Sequence, residues 1–178
     1  MTEPSVSLPS VSEPAPARSP RQLKDVLFWV AFPAALGVVL GVLWWLLAPG
    51  GLNLLSGNPD LANPADPESW LPRDLVLAAL VLLAGCATGL ALDGKLQGID
   101  APRLLAFALL GGAVGAVIAW LVGLLAGQLW SQAPDPALGA GYGFTLRSYA
   151  VLVLWPGALA FMTFVLALFG VLSKKPVK

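Results

Sequence analysis

Four carboxylates gather in one stretch of the chain, residues 49–74 (PGGLNLLSGNPDLANPADPESWLPRD): Asp60, Asp66, Glu68 and Asp74. Clustered acids can hold a hard cation such as calcium, or divide general-acid and general-base work between them. This spacing lacks the alternating ligand positions of a calcium loop, and no histidine, nucleophile or second base stands beside the acids. Asn58-Pro59-Asp60, Asn63-Pro64 and Asp66-Pro67 are instead turn signals, in which an Asn or Asp side chain bonds the local backbone. A solvated, turn-rich loop is the plainer reading, and a site on Asp60, Asp66, Glu68 and Asp74 is the alternative. Arg73 beside Asp74, and Arg147 further along, could pair across the same rim or reach separately toward water.

The remaining inventory is short. The 178 residues include no histidine and one cysteine, Cys86, which excludes a disulfide scaffold and Cys/His metal sites. Gly139, Gly141 and Gly143 surround Tyr142, but no strand precedes them and no Lys-Ser/Thr follows, so they do not form a phosphate cradle. Ten Lys and Arg balance ten Asp and Glu, so there is no basic field to draw in a nucleic acid. No catalytic residue, cofactor or metal is expected.

The elements that must position these groups belong to a membrane protein. The chain is 57% apolar and 11% charged, with a mean hydropathy of +0.79, too little charge to cover a soluble globule. Four stretches, 26–48, 75–92, 104–130 and 149–172, contain no charged side chain. Each is long enough to cross a hydrocarbon core of about 30 Å as a helix, the one state that satisfies every backbone group in lipid. The expected fold is all-α: an integral membrane four-helix bundle over 26–173. It is preceded by a disordered Pro/Ser-rich tail over 1–25, with five of the sixteen prolines, and followed by a basic tail over 174–178. The first stretch is too long for a signal-peptide core and exits into Ala48-Pro49, a poor cleavage site, so it is read as a retained span.

Lys and Arg number eight in the two tails plus the 93–103 loop, and two in the 49–74 and 131–148 loops. That asymmetry predicts both termini on the cytoplasmic side. Trp44, Trp45, Trp70, Trp130, Tyr142 and Tyr149 then fall at or beyond the outer span ends, as an interfacial belt would. Trp29 marks the inner end of the first span, and Trp120 and Trp155 lie deeper.

Glycine in a membrane helix marks a close backbone approach. Gly37 and Gly41 lie one turn apart in the first span, and Gly85 and Gly89 in the second. In the third, Gly111, Gly115, Ala119, Gly123 and Gly127 recur every four residues, a glycine-zipper face suited to a right-handed crossing at roughly −40°. This face could pack within one bundle, against a second copy, or around a pore. Pro33 and Pro156 each remove an intrahelical hydrogen bond and are expected to kink their helices. Thr88 and Thr163 can return their hydroxyls to the preceding turn, and Cys86 fills space as a small apolar group. With no ionisable group inside a span, no proton relay is visible.

The Pro-rich tail, the first span closing in Trp44-Trp45-Leu-Leu-Ala48-Pro49, the acidic loop ending at Asp74, and the Gly111-Gly112-Ala-Val-Gly115 motif resemble a family of small actinobacterial four-span membrane proteins of unknown function. The likeness runs over about residues 26–172 and implies a bacterial plasma membrane. The functional expectation is a non-enzymatic accessory, scaffold or assembly subunit of an envelope complex, in contact with the bilayer and with itself or another membrane protein. The alternative is an oligomeric transporter or channel component for a small molecule or lipid.

Overall fold

A computed structural model describes residues 20–63, 66–96, 101–130 and 144–172. The expectations for the tail over 1–19, for the Gly139–Tyr142–Gly143 segment and for the C-terminal lysines lie outside those residues. Among them are four long helices: α1 (Pro20–Leu47), α2 (Trp70–Asp93), α3 (Ala101–Trp130) and α4 (Leu154–Leu172). With the one-turn 3-10 helix Tyr149–Val153 that leads into α4, each is long and apolar enough to cross a membrane. The chain is therefore an all-α, multi-pass integral membrane protein.

The helix ends follow local chemistry more than the edges of the apolar stretches. α1 opens on Pro20, whose fixed φ and missing N–H suit a first helical position. α2 opens at Trp70, ahead of Leu75, and its Pro72 falls within the first turn, where backbone N–H groups lack intrahelical partners anyway. Pro156 departs from expectation for the same reason. It is the third residue of α4, so it starts the α-helix there, and the residues before it wind as a 3-10 turn. It does not kink an α-helix part-way along. Pro33, by contrast, lies well inside α1 and is fully buried.

The closest pairs are not neighbours in sequence. α1 packs on α3 and α2 on α4, each pair running parallel. Along α1, Gly37 meets the backbone of Gly115, and Gly41 lies against the Ala119 carbonyl. A methyl added to Gly41 would stand 2.5 Å from that oxygen, so the helix axes can be this close only without a side chain. Pro33 cannot donate to the Trp29 carbonyl one turn earlier, and Gly111 of α3 packs against that oxygen. Between α2 and α4, Gly85 touches the Trp155 carbonyl and Ala158, while Gly89 faces Met162 and Leu159. In lipid no hydrophobic effect draws helices together, so such backbone contact is the main source of association.

Two tryptophans fill the centre. Trp155 is fully buried, its indole seated on Gly112 and Gly115, and its Nε1–H lies 3.4 Å from the Thr88 hydroxyl. That hydroxyl in turn donates to the carbonyls of Ala84 at 2.7 Å and Gly85 at 3.0 Å. Thr163 likewise returns its hydroxyl to Ala160 at 2.9 Å. Trp44, expected in an interfacial belt, is also fully buried and lies on Gly123. Adjacent helical residues point about 100° apart, so when Trp45 meets Trp130 near the surface, Trp44 must turn inward. At the opposite end of the bundle, Lys95 lies 5.3 Å over the ring of Trp29.

Candidate functional site

The polar chemistry of the described residues concentrates at the end of the bundle where α1 stops and α2 and α4 begin. Leaving α1, the chain reverses through Gly50, at φ +86° a position that favours glycine. The Leu52 and Leu54 amides bond back to the carbonyls of Trp45 and Leu46, holding the turn against the helix end. From there the 49–74 stretch forms a series of local turns. Asp60 donates its backbone N–H to Asn58 Oδ1 at 3.0 Å, opening the 3-10 turn Pro59–Ala62. Asp66 Oδ1 accepts the Glu68 N–H at 3.0 Å, and the Asp66 carbonyl accepts from Ser69 at 3.2 Å.

The four carboxylates of this stretch have different environments. Asp60, Asp66 and Glu68 are exposed, whereas Asp74 is only 2% exposed in the first turns of α2. No three Asp, Glu, Cys or His side chains among the described residues come together in a way that could hold a metal ion. Asp74 Oδ2 instead accepts the backbone N–H groups of Arg147 at 3.0 Å and Ser148 at 2.8 Å, across more than seventy residues of chain. Its Oδ1 is buried with no hydrogen-bond partner among the described residues. Asp74 is thus a latch: one carboxylate fastens the entry segment of α4 to the start of α2. A charged acceptor makes such bonds roughly twice as strong as neutral ones.

A second tie runs from α1. Trp44 donates its indole N–H to the Arg73 carbonyl at 2.9 Å, and its ring meets Phe144 at 4.6 Å. Phe144 also packs on Gly127, where any side chain would collide with it. These contacts seat residues 144–148 against α1, α2 and α3 together. The arginines lie on separate rings: Arg73 is 5.7 Å from the Phe144 centroid, and Arg147 is 5.6 Å from that of Trp70. Asp74 therefore reaches Arg147 through its backbone, while the Arg147 guanidinium rests on an aromatic face.

Between these segments lies a cavity of about 460 Å³. Its walls come from the α1 exit (Pro49, Gly50), the approach to α2 (Asp66, Trp70, Arg73) and the approach to α4 (Thr145, Arg147). Asp66 is the one member of the acidic set that lines it; Asp60 and Glu68 stand outside and Asp74 behind its wall. Arg73, Asp74 and Arg147 stand out in the sequence as charged rim residues, whereas the Phe144–Leu146 wall does not. The adjacent signal was a run of Phe, Thr and Leu between a glycine-rich segment and Arg147. Comparisons with protein-family models, with curated proteins and with solved structures find no match to this chain.

Proposed function

We propose that the chain is a non-enzymatic accessory or assembly subunit of a larger complex in a bacterial plasma membrane, with both termini cytoplasmic. The observation that supports this reading best is the filled interior. Trp44, Trp155, Leu77, Val81 and Leu159 are fully buried along the bundle interior, as are Ala116 and Ala119. The two buried threonines bond to their own helices. A centre built this way serves as a rigid frame, whereas conduction needs polar groups lining a route. The Lys and Arg asymmetry of the loops supports the orientation.

The test is purification of the full chain from native membranes in mild detergent, with native mass of the particle and the identity of whatever co-purifies. A stoichiometric partner, whose deletion lowers the level of this chain, is the expected result. Recovery as a lone chain that passes solute across reconstituted vesicles would overturn it.

A further inference from the structure

We propose that the cavity between Pro49, Trp70, Arg73, Thr145 and Arg147 is a binding site for a phosphate ester, the phosphodiester of a lipid headgroup or a soluble phosphate ester. Three observations carry this. The first is charge: two guanidiniums, Arg73 and Arg147, line one cavity against a single lining carboxylate, Asp66, with Asp74 outside the lining. Asp66 Oδ1 accepts from Glu68, and Asp74 Oδ2 accepts from Arg147 and Ser148. Each guanidinium carries a planar fork of donors that matches phosphate oxygens two at a time.

The second observation is preorganisation. The Arg147 guanidinium lies over Trp70, and that of Arg73 over Phe144. The backbone that carries them is pinned by the Asp74 latch and the Trp44–Arg73 bond. Side chains held this way lose little conformational freedom when an anion arrives, which is what raises affinity. The third is depth. The cavity opens where α1 ends and α2 begins, at the same helix ends as the Trp45–Trp130 pair. Trp and Tyr mark the headgroup layer of a bilayer, where lipid phosphates are the most concentrated anions. A volume of about 460 Å³ suits a headgroup-sized ligand.

The proposal needs the chain to span a membrane and does not depend on an accessory role. The experiment measures protection against thermal unfolding of the delipidated full chain in mild, phosphate-free detergent. The ligands are phosphatidylglycerol, a diacylglycerol with the same tails, and glycerol phosphate. Phosphatidylglycerol is expected to raise the midpoint in a saturable way and diacylglycerol is not, because only binding to the folded state adds stability. Arg147→Gln should weaken binding about tenfold or more, the usual scale for losing a charge-assisted bond. Thr145→Glu, an exposed lining position, should abolish binding by placing a like charge beside the phosphate. Arg103→Gln, on the cytoplasm-facing rim of the proposed orientation, should leave binding unchanged. Protection by glycerol phosphate at comparable concentration identifies a soluble ester as the source, and protection by the lipid alone identifies the headgroup. Equal protection by diacylglycerol, or unchanged binding in a folded Arg147→Gln or Thr145→Glu variant, overturns the proposal.

Discussion

Replacing Asp74 with alanine would leave the N–H groups of Arg147 and Ser148 in a part-buried site with no acceptor. A buried donor without a partner costs about 1–3 kcal/mol, so Asp74→Ala should lower stability by at least 2 kcal/mol. Asp74→Asn keeps an acceptor oxygen in the same place and should lose less. Thermal unfolding of the three proteins in one detergent checks this, and equal midpoints for wild type and Asp74→Ala would dismiss the latch. The tryptophans allow a matched comparison. Trp44 donates to the Arg73 carbonyl, whereas the Trp120 Nε1–H is buried without a partner among the described residues. Trp44→Phe therefore forfeits a hydrogen bond worth about 1 kcal/mol, and Trp120→Phe removes an unsatisfied donor. Trp120→Phe should be the better tolerated of the two in the same assay. At this scale the sequence was only partly legible. Asp74 stood out as an acid at a span entrance, but its partners are amides seventy-odd residues away, and amides carry no sequence signature.

Helix contacts built on glycine are sensitive to added volume. Gly115 lies against the Pro33 carbonyl and under the Trp155 ring, whereas Leu121 is 45% exposed. Gly115→Leu should prevent or severely weaken folding, since overpacking costs about 1–3 kcal/mol even where neighbours can shift. Leu121→Ala should be nearly silent in detergent. Similar midpoints for the two variants would argue against α3 as the central packing surface. Pro156→Ala should also be close to neutral, within about 0.5 kcal/mol, because a first-turn residue has no intrahelical acceptor to lose. A large loss there would mean that the proline ring itself holds the turn. The four spans were readable in advance because about 20 uncharged residues in a row have few other uses. Their pairing was not, since a G-x-x-x-G spacing announces that some backbone comes close without saying whose. The kink expected at Pro156 failed on register: a few residues separate a helix interior from a helix start, and hydropathy does not mark that boundary.

The orientation of the whole molecule can be read with an impermeant thiol reagent on intact cells. Ser56→Cys on a Cys86→Ala background should be labelled and Ser10→Cys should not, given the distribution of Lys and Arg. The reverse pattern would invert the topology and move the arginine-lined cavity to the cytoplasmic face. The next-but-one arrangement of the helices also dictates an order of events during synthesis. When α1 enters the bilayer, the groove at Gly37 and Gly41 has no partner, because α3 has yet to leave the ribosome. When α2 follows, Gly85 and Gly89 must wait in turn for α4. Between the arrival of α2 and that of α3 the nascent chain thus exposes two glycine grooves to lipid, each open to any passing small-residue helix. The first groove closes when α3 arrives; the second closes only with the last span, when Trp155 seats on Gly112 and Gly115, and the Asp74 carboxylate captures the amides just ahead of it. A chain halted before residue 144 would therefore keep the α2 groove at Gly85 and Gly89 open to lipid, a half-assembled intermediate that quality-control proteases could recognise.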